Sequence, residues 1–121
     1  MATAGFVSKI AFLMGGFLVW AAHFLLVYGF NGLACARGFD RTMLLGVGTV
    51  PFVVGVATLI ALALDALIFA AAVAGHGPGI SGEPDGSLRR FWRYVTGAIA
   101  VFSFVAVLWD GLPALIIEPC A

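Results

Sequence analysis

The stretch Ile10–Ala36, IAFLMGGFLVWAAHFLLVYGFNGLACA, carries no formal charge, and His23 and Asn31 are its most polar side chains. About 20 apolar residues are enough to cross the hydrocarbon core of a bilayer, so this run predicts a membrane-spanning helix over about residues 8–35. Two more stretches read the same way. From Thr42 to Gly75 the single charge is Asp65, which predicts a helix over about 44–74. That run is too long for one straight span, so the helix should tilt or begin near Pro51, because proline suits a first helical turn and disrupts an interior. The third stretch, from Phe91 to about Ile117, predicts a helix over about 88–112 with Ser87 as its N-cap. Asp110, Gly111 and Pro113 should end or kink it near an interface.

The composition agrees. The chain is 63% hydrophobic and 10% charged, with a mean hydropathy of +1.13, where a soluble domain has about a quarter of its residues charged. In water such a chain would expose large apolar patches. The expected fold class is therefore all-α, an integral membrane three-helix bundle forming a single transmembrane domain over residues 1–121. Six basic residues balance six acidic ones, so the net charge gives no sign of a nucleic-acid partner held by phosphate attraction. The partners expected are the lipid bilayer and larger membrane protein subunits.

Between the second and third spans, Gly75 to Ser87 is rich in glycine and proline and reads as an ordinary flexible loop. Lys9, Arg89, Arg90 and Arg93 fall on one side of the membrane, and Arg37 and Arg41 on the other. Positive charges in short loops favour the cytoplasm, which predicts a cytoplasmic amino terminus and a periplasmic carboxyl terminus in a bacterial inner membrane. The three arginines near residue 90 suit contact with anionic lipid. Trp92 and Tyr94 beside them, with Tyr28 and Trp109 toward the opposite ends, suit interfacial aromatic belts. A secretion signal cleaved before Cys35 is the competing reading, but signal cores run to about 15 residues and this apolar run is longer.

Three spans put the first loop and the carboxyl-terminal tail on one face, and therefore Cys35 and Cys120 together. On an oxidising face they are candidates for a disulfide that ties the end of the first helix to the tail. Free thiols without a role, or a pair that binds a soft metal or exchanges disulfides, are the alternatives.

Ionisable groups within spans are costly and usually face inward, which makes them functional candidates. Thr96, Ser103 and Asp110 recur every seven residues and form one polar stripe. Ala57, Ala61 and Asp65 share a helix face on which small side chains permit close approach. Counting the helical rise places Ser103 near the level of His23, so an intramembrane cluster of His23, Asp65 and Ser103 is expected, with a His23–Ser103 hydrogen bond. Asp110 is expected to form an interfacial ion pair with Arg37 or Arg41. His23 is the candidate cofactor ligand, for haem or as part of a quinone or proton site with Asp65. One intramembrane histidine cannot supply both axial ligands of a haem, since His76 falls in the loop, so no resident cofactor is assigned.

The blocks Trp20-Ala21-Ala22-His23-Phe24, Tyr28 and Leu33-Ala34-Cys35-Ala36-Arg37, with Trp109 to Pro113 and Pro119-Cys120, resemble a set of small uncharacterised three-helix membrane proteins. Those proteins are encoded beside bacterial haem-copper cytochrome c oxidases and their assembly factors. The resemblance covers both ends of the chain and leaves out the middle. It implies an accessory subunit or assembly factor with Cys35 and Cys120 paired, and it transfers no catalytic residue. The leading expectation is thus a non-catalytic accessory or assembly protein of a respiratory membrane complex. The alternatives are an electron or proton carrier using His23 and Asp65, and a small oligomeric transporter or channel.

Overall fold

The computed structural model describes residues 2–38, 43–44 and 47–116. The chain runs α1 (Ala2–Leu13), α2 (Gly15–Arg37), β1 (Met43–Leu44), β2 (Val47–Gly48), α3 (Thr49–Ala74) and α4 (Gly86–Ile116). The two short strands pair antiparallel, with Met43 opposite Gly48 and Leu44 opposite Val47. The segments Gly15–Arg37, Thr49–Ala74 and Gly86–Pro113 are long and apolar enough to cross a membrane. The architecture is all-helical in substance, and the protein is a multi-pass membrane protein.

The helix bounds depart from expectation for local reasons. The first helix is interrupted at Met14, where Gly15 and Gly16 follow, but its backbone ladder continues: the Met14 amide donates to the Ile10 carbonyl and the Leu18 amide to that of Met14. The second helix opens at Thr49 rather than near 44, because Met43–Leu44 and Val47–Gly48 pair as strands. Pro51 then falls in the first turn, where its missing N–H breaks no intrahelical bond. Pro113 does not end α4, which continues to Ile116.

Helix ends are closed by named groups. Gly38 and Gly75 take left-handed φ of 79° and 81°, a conformation that glycine adopts without a Cβ penalty. At Gly75 the closure is a Schellman motif: the His76 amide donates to the Ala71 carbonyl and the Gly75 amide to that of Ala72. Arg93 reaches across from α4 and donates Nε to the Ala72 carbonyl and Nη2 to that of Val73. A cation is thereby set at the negative end of the α3 dipole. Arg89 donates to the Glu83 carbonyl at 2.8 Å, so two of the three arginines expected to face lipid are also engaged within the protein.

The cap of α4 is Asp85 rather than Ser87. Its Oδ1 accepts from the Ser87 amide at 3.0 Å, the Ser87 hydroxyl at 2.8 Å and the Leu88 amide at 3.4 Å. These bonds, the Ser87 hydroxyl foremost, hold the Asp85 carboxyl below its ordinary range.

The connection expected to be a flexible loop is folded back onto the helices. Gly77, Gly79 and Gly82 all have positive φ, and Ile80 is completely buried. A Cβ on Gly79 would lie 3.1 Å from the Trp92 ring, and one on Gly77 would lie 2.6 Å from that of Phe12. The loop therefore needs glycine where it passes the rings, and this close passage seats Ile80.

Elsewhere α3 packs most extensively on α4, and α2 packs on both. Val27 and Ala34 of α2 meet Val50 and Val54 of α3 in an apolar cluster flanked by Phe30. Where α2 crosses α4 the backbones nearly touch: a Cβ on Gly16 would stand 2.8 Å from Ala100 Cα and 3.0 Å from the Ile99 carbonyl oxygen. Small residues serve this purpose in membrane helices, where close packing replaces the hydrophobic driving force.

Candidate intramembrane polar site

Inward-facing polar side chains on the three long helices are few, and most sit where two helices meet. Thr96 and Ser103 of the α4 stripe are buried, as are His23, Thr58 and Asp65. Two interhelical hydrogen bonds organise one end of the molecule. Trp20 Nε1 of α2 donates to Asp110 Oδ2 of α4 at 2.7 Å. One turn along α2, His23 Nε2 and Thr58 Oγ1 of α3 lie 2.9 Å apart in a second bond. Gly111 brings the two together: its Cβ position would be 2.7 Å from Thr58 Oγ1, so any larger residue would push α4 off the His23–Thr58 pair.

This arrangement differs from the expected one. Ser103 lies against Gly16, its Oγ 3.0 Å from the place a Cβ would occupy there. Gly16 precedes His23 by about two turns, or roughly 10 Å along the axis, and His23 is bonded to Thr58 instead. Counting rise from each helix end assumed that the spans begin at one depth, whereas the Gly16 contact sets the depth of α2 against α4. Asp110 accepts from Trp20 of α2. Arg37 ends α2 on the exposed surface, and Arg41 lies outside the described residues. Cys35 stands in the exposed last turn of α2, while Cys120 also lies outside them.

Asp65 is separate from both bonds. It is 1% exposed, and neither of its oxygens has a hydrogen-bond partner; the same holds for His23 Nδ1 and Thr96 Oγ1. Among the described residues no group of three or more His, Cys, Asp or Glu is arranged to hold a metal ion.

Around this site α2 presents a ladder of rings, Phe17, Trp20, Phe24 and Tyr28, with successive centroids 5.5, 5.5 and 4.5 Å apart. This ladder holds the Trp20 indole in place beside Asp110. A double-mutant cycle with Trp20→Phe and Asp110→Ala should return a coupling of about 1–2 kcal/mol, toward the upper end of what interhelical hydrogen bonds contribute in bilayers. Reversible unfolding in mixed micelles measures it, and additive single mutants would show the bond to be energetically idle.

Thr58 is not singled out by the sequence, and Gly111 is read there only as a helix breaker. A lone threonine in an apolar run carries no signal until the facing helix is known. Trp20 stands in the sequence one turn before His23, but its partner on α4 is not apparent there. No known family model matches the chain, no curated protein is similar to it, and no solved structure shares its fold at a significant level.

Proposed function

We propose that the chain is a non-catalytic accessory subunit or assembly factor of a respiratory membrane complex. In this reading it lies in the bacterial inner membrane, with its amino terminus in the cytoplasm and its carboxyl terminus in the periplasm. One observation carries the reading: the polar groups that come together on the spans are engaged in joining helix to helix, while apolar surface is turned outward. An apolar groove of about 530 Å³ lies between α2 and α3, with Leu18, Ala22, Val53 and Ile60 among its walls, and would accept side chains of a neighbouring subunit's helix.

The respiratory assignment rests on the resemblance at Trp20–Phe24, Leu33–Arg37 and the tail. The orientation rests on the excess of Lys9, Arg89, Arg90 and Arg93 over Arg37 and Arg41. A Cys35–Cys120 disulfide belongs to the same reading and would fasten the first loop to the tail on the oxidising face.

Affinity purification from native membranes in mild detergent tests the proposal. The expected result is a colourless chain that co-purifies stoichiometrically with a haem-copper oxidase. A Soret band intrinsic to the purified chain and lost in His23→Ala would replace this reading with that of a carrier.

A further inference from the structure

Asp65 stands near the middle of α3, about 10 Å from the level of Thr58 and about 14 Å from the end of the helix, and it is 1% exposed with both oxygens unpartnered. Beside it a cleft of about 200 Å³ runs between α3 and α4, lined by Asp65, Ala66, Phe69, Ala100, Val101, Phe104 and Val105. Ala66, Phe69, Val101 and Val105 are exposed on the outer surface of their helices, so the cleft opens sideways toward lipid rather than along the axis toward water. Apart from Asp65 its lining is wholly apolar.

Neither oxygen of Asp65 meets a hydrogen-bond partner from the helices packed around it. On α2, His23 is bonded to Thr58. On α4, Asp110 accepts from Trp20 and Arg93 is held at the last carbonyls of α3. No other charged residue lies on α3. A carboxylate in hydrocarbon with neither donor nor cation against it is strongly disfavoured, and such a group takes up a proton.

We propose that Asp65 is a proton-binding site within the membrane, a neutral carboxylic acid reached from the lipid phase through the α3–α4 cleft. This goes beyond the accessory role and depends only on the chain spanning a bilayer. The predicted chemistry is covalent modification by an apolar carbodiimide. The acid proton passes to a carbodiimide nitrogen, and the carboxylate oxygen adds to the central carbon to give an O-acylisourea. The acyl group then shifts to nitrogen to give a stable N-acylurea, because hydrolysis of the intermediate needs water that the apolar cleft excludes. The product carries the mass of one whole reagent.

The test is peptide mass spectrometry of the full chain in phospholipid bilayers, treated either with an apolar carbodiimide or with a charged, membrane-impermeant one. The apolar reagent should label Asp65 at neutral pH, and that adduct should be lost in Asp65→Asn. The impermeant reagent should label the exposed carboxyl of Asp85 and leave Asp65 untouched. Infrared spectra of the unmodified chain provide a second readout that needs no reagent access: a protonated carboxyl C=O band at neutral pH, absent in Asp65→Asn. Labelling of Asp65 by the impermeant reagent, or wild-type and Asp65→Asn spectra without a difference in that band, would overturn the proposal. Neither readout depends on any partner complex, so a failed co-purification leaves it standing.

Discussion

Replacing Gly16 with leucine is expected to separate α2 from α4 and to destabilise the folded protein by about 1–3 kcal/mol or more, the range for overpacking a well-packed contact. The hydrogen at this position faces backbone. A Cβ would stand 2.8 Å from Ala100 Cα, 3.0 Å from the Ile99 carbonyl oxygen and 3.0 Å from Ser103 Oγ. A flexible side chain could rotate away, but a helix backbone cannot yield without moving the whole helix. The displacement should also reach the Trp20–Asp110 and His23–Thr58 bonds, since α2 carries both Trp20 and His23. Gly29, on the same helix, has nothing within 4 Å of its Cβ position and serves as the control, where leucine should be close to neutral. Unfolding titrations of both variants in mixed micelles check this, and equal midpoints would show that the close approach contributes nothing.

Truncating Ile80 to alanine should cost about 2–5 kcal/mol, the usual range for an isoleucine-to-alanine change in a packed interior. The side chain has no exposed surface although it belongs to a connection of turns. The neighbouring geometry supports it: the Ile80 amide donates to the Gly77 carbonyl at 3.0 Å, and the Gly77 amide donates to Ser81 Oγ at 3.1 Å. The backbone on either side is thereby held in place, and loss of the plug leaves a cavity that these turns cannot close. Thermal unfolding, together with limited proteolysis between Gly75 and Asp85, reads the effect. A loop that becomes cleavable while the helices keep their midpoint would mean that Ile80 secures the loop alone.

These two positions show what was legible beforehand. Ile80 is an apolar residue among glycines and prolines, and composition reads that segment as solvated chain. Its burial depends on where Phe12 and Trp92 lie, and both belong to other helices. Gly16 follows Gly15 in an apolar run and could be read as flexibility or as close packing until the facing helix is placed. Asp65 was legible as an inward-facing carboxyl, because an ionisable group in a span has few other places to go. That Ser103 would not share its level with His23 was not legible, because helical rise fixes distances along one helix but not the offset between two.

The apolar runs alone determined that this chain forms three helices long and apolar enough to cross a membrane and that His23 and Asp65 within them turn inward. Period, length and charge are local properties, and the cost of placing backbone polar groups and charges in hydrocarbon converts them directly into structure. Pairing was decided only in three dimensions: Trp20 with Asp110, His23 with Thr58, Ile80 buried within a connection of turns, and Asp65 with no hydrogen-bond partner. Partners on different helices depend on axial offset and rotation, which are set by side chains and glycines in contact across the interface.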